Sequence, residues 1–565
     1  MIEFIKKEYK HLLILFFILV ASFALFWLKQ ANILVDVGRE FYLPSQMNKG
    51  LVLYKDILNV YSPLSYQLNA VLYKIFGENI STLYNFAILN AFAIIFGVYA
   101  LAREFLDKNY SLLISVSMIA LYVITAGSFN YCLPYTFAAP YAILSFLFSV
   151  FCLVKYVKNS DVKYFYLSAF FAGMSLDFKL EYVLYPFVLL YVGLFFKPVK
   201  KVELLNSIIC LMLMPLLSIL TLLLQGASFG DLINAFEIMQ KMAKAPSTQF
   251  FYKNYSGFIF NYGSILSNLR YLIMALVMFA VIAIREKASH SENKINKYFA
   301  GIVSVIVVYL VFIYSYKNIL FPLSIINFLL FLFCIKKLYE NKPLFIMSIC
   351  AIVATFKSIF VFAVNTYGIF AAPFLFISCL GMFLYLFDSD EKLNIITKSI
   401  KFNLKFVFII YLAMIFYTNY NLNVHKIVLE TPKGNIVVNR QVGALHRTLI
   451  DFLVNNTKPT DRVVILPETP FINFVIDRPT HNFYMCLIPV YTDVFGEQKI
   501  IADFKKDMPE YFVLNNRDCL EYGAQYFGLD FAKDIKAFID SNYDFIKQIQ
   551  AGNNVMLIYE RKDIK

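Results

Sequence analysis

Charge is scarce in this chain. Of 565 residues only 16% are Asp, Glu, Lys or Arg, while 60% are hydrophobic, and the mean hydropathy is +0.64. A water-soluble protein of this length has no means of hiding so much apolar side chain, which excludes that class. The strand-length alternation of an outer-membrane barrel is also missing. No Cys-x-x-Cys pair occurs among the eight cysteines, so nothing supports a zinc or dithiol site. Cys152, Cys210, Cys334, Cys350 and Cys379 lie in or beside apolar runs, and Cys132 lies in a short loop. Cys486 and Cys519 belong to a polar C-terminal region, where their pairing stays open. That region has no glycine-rich phosphate loop, and His425, His446 and His481 match no zinc spacing. The first apolar run has no small-residue cleavage site and ends in Trp27, so it reads as a retained span. No internal repeat is visible.

What remains is a polytopic α-helical membrane protein. We expect about thirteen spans, near 11–28, 81–102, 111–127, 134–154, 164–177, 181–196, 203–224, 264–284, 298–315, 319–335, 343–357, 367–387 and 403–420. The net charge of +13 then falls mainly in alternate short loops, and is topology rather than a nucleic-acid face. Lys6, Lys7 and Lys10 begin this set, followed by Arg103 and Lys108, then Lys155, Lys158 and Lys163, then Lys197, Lys200 and Lys201. Later members include Arg285, Lys336, Lys337 and Lys398. The positive-inside rule makes these loops cytoplasmic, with the N-terminus inside and everything after residue 421 outside. A multi-pass membrane location is expected.

Two outer loops are long. Residues 29–80 include "SPLSYQLNAVLYKIFG", where Leu64, Leu68, Val71, Leu72, Ile75 and Phe76 recur at helical spacing. Such a helix is too short to span and is expected to lie in the interface. Residues 225–263 contain a second interfacial candidate. From residue 421 to 565 the composition turns soluble. "DRVVIL", "PEYFVLN" and "NVMLIYER" read as strands, and "GALHRTLIDFLVNNT", "KIIADFKKDM" and "AKDIKAFIDSNY" as amphipathic helices. Their alternation implies a small C-terminal α/β extracytoplasmic domain of ~130 residues. The division is therefore 1–420 transmembrane and 421–565 extracytoplasmic.

An ionisable group at membrane depth is costly, and is a functional candidate by default. The unusual charges gather at the outer ends of spans. Asp36, Arg39 and Glu40 follow the first span, Asp177, Lys179 and Glu181 sit at a later outer turn, Arg270 opens the eighth span, and Lys317 and Lys357 end others. Snorkelling anchors and structural ion pairs explain single members of such a set as well as function does. As a set, a carboxylate facing cations at the membrane surface suits one chemistry. When a lipid-phosphate-linked sugar is transferred, the leaving phosphate gathers negative charge, which Lys or Arg stabilises. A carboxylate opposite takes the acceptor's proton.

The stretch "ILVDVGREFYLPSQMNKGLVLYKDILNVYSPLSYQLNAVLYKIFG" resembles the first outer loop of GT-C glycosyltransferases. In particular it is similar to bacterial relatives of the protein O-mannosyltransferases and of the lipid A aminoarabinose transferase. The matching features are Asp36 with Glu40, "GLVLYKD" (Gly50, Tyr54, Asp56) and "YSPLSY" (Tyr61, Pro63, Leu64). "AGMSLDFKLEYVLYP" resembles the family's lysine segment, making Lys179 its lysine. "VVILPETPFINFVIDRPT" and "RDCLEYGAQYFGLDF" resemble the outer domain of a bacterial branch with no settled substrate. The chain departs from the usual Asp-Glu pair, reading Asp36-Val37-Gly38-Arg39-Glu40. The resemblance implies a GT-C fold and transfer of a sugar, with inversion, from a polyprenyl-phosphate donor to a glycan, lipid or protein acceptor. It makes Asp36 the general base or the carboxylate that orients the acceptor and, given the departure, leaves open whether Glu40 takes the second acid's part and whether Arg39 meets substrate. It places Lys179, Arg270, Lys357 and Arg39 toward the donor phosphate, and Tyr54, Asp56, Tyr61 and Tyr66 along the substrate. The sequence requires no cofactor and leaves a divalent ion open. A lipid or lipid-linked-sugar transporter, a surface-polysaccharide polymerase or ligase and a non-catalytic scaffold are the competing readings.

Overall fold

A computed structural model describes residues 2–256, 259–263, 265, 266, 269, 270, 273, 323–356, 366–388, 409 and 411–562. The expected span at 298–315, most of 264–284 and the start of 403–420 lie outside the described residues, as does Lys357. Helices are numbered here in chain order among those described.

The chain begins with α1 (Ile2–Phe26), a turn, the short α2 (Val37–Asn48) and α3 (Leu64–Phe76). Then come α4 (Ile80–Ala102), α5 (Lys108–Met118, continued to Val123 as a π-turn), α6 (Ala138–Asn159) and α7 (Val162–Phe178). The expected span at 181–196 is broken into a 3-10 turn, α8 (Tyr185–Tyr191) and a π-turn. α9 (Lys201–Leu224), α10 (Phe229–Lys244) and α11 (Pro246–Phe251) follow, then α12 (Leu323–Glu340), α13 (Lys342–Ala354) and α14 (Ala372–Asp388). Polar residues start several of these helices at the residues the sequence supplies. Asn79, Asp107 and Asp161 each accept a backbone N–H of the first turn of α4, α5 and α7. Ser228 and Asp231 close a reciprocal box on α10.

Among the described residues five helices are long and apolar enough to cross a membrane: Glu3–Phe26, Ile80–Ala102, Ala138–Asn159, Lys201–Leu224 and Ile369–Leu386. α6 is packed on most sides, whereas α9 exposes Leu205, Ile209, Leu216 and Leu220. Such an all-apolar exterior is tolerated in lipid and not in water. α3 is inverted in the same sense. Its polar and aromatic face (Ser65, Tyr66, Asn69, Tyr73) is buried, while Val71, Ile75 and Phe76 are exposed.

The helix ends separate into two sets. At one end Glu8 of α1 meets Arg103 (3.2 Å) and Lys108 (3.9 Å), and Glu104 meets Lys155 (2.7 Å) and Lys158 (2.9 Å). Two buried or half-buried acids thus gather the basic loop residues singled out in the sequence. The end of α1, the starts of α4 and α6 and the ends of α7 and α9 lie at the other end of the bundle, together with the loop helices α2 and α3.

Residues 411–424 are helical and lead into a two-stranded hairpin, β1 (Ile427–Leu429) with β2 (Ile436–Val438). A four-stranded sheet of β3 (Val463–Leu466), β4 (Tyr511–Asn515), β5 (Tyr543–Ala551) and β6 (Asn554–Arg561) follows, in the order β3-β4-β6-β5. β3 and β4 are parallel and the other pairs antiparallel. The helices α15 (Arg440–Asn456), α16 (Phe471–Ile476), α17 (Pro489–Phe495), α18 (Glu497–Lys506) and α19 (Lys533–Asn542) accompany the sheet. β5 is absent from the sequence reading, because Lys547, Gln548 and Gln550 interrupt its apolar residues and it follows α19 directly, with no loop between them.

Stacked rings and ion pairs help fasten this α/β part to the loop helices. α16 lies on α2, with Phe474 stacked on Phe41 (5.3 Å) and on Tyr73 (5.9 Å). Gly38 makes the approach feasible, since a Cβ there would stand 2.2 Å from the Phe471 backbone nitrogen. Beside it Lys433 binds Glu78 (3.0 Å) and Asp477 (2.9 Å), and Lys49 binds Asp477 (2.8 Å).

Candidate functional site

Segments from several parts of the chain converge at the loop-helix end of the bundle. The first is the turn into α2. Asp36 has φ 45° and ψ −60°, and Val37 N–H donates to Val35 O at 2.5 Å across it. This is the γ-turn of the positive-φ kind, rare and strained for a residue with a side chain. Asp36 lies among protein atoms yet keeps 31% of its side chain accessible. Burial is the largest influence on its carboxyl and pushes it above the ordinary range; Arg39 and Arg517 oppose this and Glu40 reinforces it.

Arg39 stands one helical turn on. Its guanidinium is 3.4 Å from Asp36 and 3.3 Å from Glu40, donates to Tyr135 O at 2.9 Å, and lies 4.9 Å from the Tyr61 ring centre. Glu40 is wholly buried and fully occupied. Oε1 accepts Tyr66 Oη (2.6 Å), while Oε2 accepts Thr136 Oγ1 (3.0 Å) and Phe137 N (2.8 Å). Both oxygens of Glu40 are therefore committed to pinning α2, α3 and the start of α6 together.

Tyr135 continues the chain of contacts. Lys179, at the end of α7, donates to Tyr135 Oη, lies 4.8 Å from that ring and pairs with Glu181 at 2.7 Å. Lys179 is thus joined to Arg39 through a single residue. Tyr54 and Asp56 serve the loop itself. Tyr54 Oη donates to Tyr61 O (2.6 Å), and Asp56 Oδ2 accepts Val52 N–H (2.9 Å). Tyr61 is held against Arg39, and burial raises its phenol above the usual range. Arg270 is exposed.

The remaining segments come from the α/β part. Glu468 Oε1 accepts the Asp36 backbone N–H at 3.0 Å, and its Oε2 is 3.4 Å from Arg517 Nε. Arg517 also donates to Glu521 (2.6 Å) and to Cys519 Sγ (3.1 Å). Burial pushes the Glu468 carboxyl up; Arg517 opposes this and Asp36 reinforces it. The Cys486 thiol is likewise raised by burial. All eight cysteines are free thiols, Cys486 and Cys519 among them. Among the described residues no cluster of three His, Cys, Asp or Glu is arranged to hold a metal.

The sequence reading named Asp36, Arg39, Glu40, Tyr61, Tyr66 and Lys179, and the structure brings them together. It did not name Tyr135, Thr136, Glu468 or Arg517. A signal existed for the last two, which immediately follow the carboxyl ends of the parallel strands β3 and β4. In sheets of this kind ligands bind beyond that edge.

Residues 61–224 match the family model described as dolichyl-phosphate-mannose-protein mannosyltransferase. The match includes Tyr61, Tyr66 and Lys179 and begins after Asp36. No curated protein matches the chain. Solved structures with a similar course include the Archaeoglobus fulgidus oligosaccharyltransferase tethered with an acceptor peptide containing the NVT sequon. It is 12% identical with a TM-score of 0.49, covering 96% of this chain and 73% of that one. The archaeal oligosaccharyltransferase AglB from the same organism, in complex with an inhibitory peptide and a dolichol-phosphate, is 13% identical with a TM-score of 0.47, covering 95% and 73%. ArnT from Cupriavidus metallidurans, bound to undecaprenyl phosphate, is 10% identical with a TM-score of 0.41, covering 96% and 97%. Over residues 61–224 the chain is similar to the dolichyl-phosphate-mannose-protein mannosyltransferases.

Proposed function

We propose that this protein is a multi-pass membrane glycosyltransferase that moves a sugar from a polyprenyl-phosphate donor to an acceptor outside the cytoplasm. The observation that carries this reading is the accessible Asp36 carboxylate beside Arg39, linked through Tyr135 to Lys179. Asp36 takes the proton of an acceptor hydroxyl or amine as that atom attacks the anomeric carbon. The bond from that carbon to the phosphate oxygen breaks, and the phosphate leaves with the electron pair, so the sugar inverts in a single displacement. Arg39 and Lys179 stabilise the charge that collects on the leaving phosphate. The phosphate competes with Glu181 for Lys179, which frees the lysine only when donor is present. Tyr61 borders the substrate, whereas Tyr66 is buried with its hydroxyl on Glu40, and Glu40 keeps α2 in place rather than moving protons. On this reading the end of the bundle with Glu8 and Glu104 faces the cytoplasm, which the basic loops gathered there support. The exposed outer faces of α3 and α9 suit contact with lipid.

The test is donor turnover by purified full-length protein with radiolabelled polyprenyl-phosphate sugar. Asp36→Asn should lower the rate on the order of 10²-fold or more while the protein stays folded. Unchanged donor consumption in that variant overturns the assignment of Asp36.

A further inference from the structure

A γ-turn with positive φ at a non-glycine residue is strained and persists only where its surroundings impose it. At Asp36 the α/β part supplies much of that imposition. Glu468 accepts the Asp36 N–H (3.0 Å), and the adjacent Thr469 Oγ1 donates to Leu34 O (3.2 Å), bracketing the turn on both sides. Glu468 is itself held at two points, by Asn515 Nδ2 on its carbonyl (2.6 Å) and by Arg517 on its carboxylate (3.4 Å). Gly38, two residues beyond the turn, admits the Phe471 backbone and so brings this bracket within reach.

We propose that Glu468, backed by Arg517, is a positioning residue that holds the Asp36 turn in its working conformation, so that the site is complete only when the α/β part is docked on α2. The inference rests on the reading of Asp36 as the base, but its structural half is independent of that reading. Turning Asp36 out of this conformation swings its carboxylate away from Arg39 and from the accessible space it now faces.

The charged and titratable groups that face Asp36 or its partners are Arg39 and Glu40 on α2, Tyr61 before α3, Glu468 after β3, Cys486, Tyr491 in α17, and Arg517 with its partner Glu521 after β4. Removing the Glu468 charge leaves Arg517 facing Asp36 with less competition. The Asp36 carboxyl then ionises at lower pH.

The experiment combines amide hydrogen exchange of the 35–39 segment with turnover of radiolabelled polyprenyl-phosphate sugar, both on full-length protein in detergent. Glu468→Ala should speed exchange at residues 36 and 37 on the order of tenfold, the effect of losing one buried acceptor. It should lower kcat by a similar factor with little change in donor KM. Glu468→Gln keeps an acceptor for the Asp36 N–H. It should preserve exchange protection and most of kcat, yet move the acid limb of kcat/KM to lower pH, which a merely structural contact does not do. Unchanged exchange at 35–39 in Glu468→Ala overturns the proposal, and so does an unmoved acid limb in Glu468→Gln. Should Asp36→Asn retain full turnover while Glu468→Ala still loosens the segment, the catalytic reading fails and the clamp stands.

Discussion

Glu40 offers the sharpest test, because its two possible roles give opposite results. As a catalytic acid it would be dispensable for folding; as a pin it would not. Glu40→Ala removes the acceptor for Tyr66 Oη, Thr136 Oγ1 and Phe137 N, all buried, and takes one of two carboxylates from Arg39. Breaking a buried ion pair costs about 3–5 kcal/mol, and each buried donor left unpaired about 1–3 kcal/mol. These overlap, since Asp36 still faces Arg39, and we take about 4 kcal/mol as the expected loss. Glu40→Gln keeps one acceptor oxygen and should lose roughly half as much. The assay is SDS-titrated unfolding of the full chain, followed by the reaction of a fluorogenic thiol reagent with Cys132, Cys152 and Cys350, which are buried in the fold. Stability within about 1 kcal/mol of the parent in Glu40→Ala, combined with lost turnover, would refute the pin and return Glu40 to the chemistry.

Three further outcomes are expected. Asp36 works as a carboxylate and its pKa is raised, so turnover should fall as pH drops through a limb above the ordinary aspartate value of about 3.9. Arg39 opposes that rise, so Arg39→Gln should move the limb of kcat/KM to still higher pH, and a downward shift would contradict the electrostatics. Lys179→Met should raise the donor KM roughly 10- to 150-fold, as a lost charge-assisted contact does; donor saturation curves superimposable on the parent's would remove Lys179 from the phosphate. Gly38→Ala should lower stability by about 1–3 kcal/mol or more, because backbone rather than a flexible side-chain end opposes the new methyl. Protection of Phe471–Ile476 from hydrogen exchange should fall with it, and an unaltered pattern would show that α16 tolerates the shift.

Several features were readable along the chain because their cause is local. The apolar runs at 80–102 and 201–224 are helices whose starts carry Asn79 and Glu203. "VVIL" and "YFVLN" are strands, and α15, α18 and α19 carry their apolar faces at helical spacing. The break at 180–196 had a local signal in Pro186, which stands in the first turn where the helix restarts, but the surrounding apolar run reads as one continuous span. The Asp36–Glu40 motif and Lys179 were visible as charges in an uncharged setting, which is a composition signal.

What each charge does was not visible in this way. Arg39 and Glu40 are adjacent in sequence, yet one looks toward Asp36 and Tyr61 while the other is sealed against Tyr66, Thr136 and Phe137. Helical geometry sends neighbouring side chains in different directions, and only the elements packed on each side decide which is buried. Glu468 reaches Asp36 across 432 residues of chain, a distance over which no periodicity carries information. The sequence by itself determined a membrane-spanning helical chain, its candidate charges and its α/β elements, because hydropathy, capping and alternation act over a few residues. The tertiary structure alone decided that Glu40 is sealed among Tyr66, Thr136 and Phe137, that Asp36 keeps an accessible carboxylate in a positive-φ turn, and that Glu468 meets that turn, because burial and long-range pairing exist only once the segments meet.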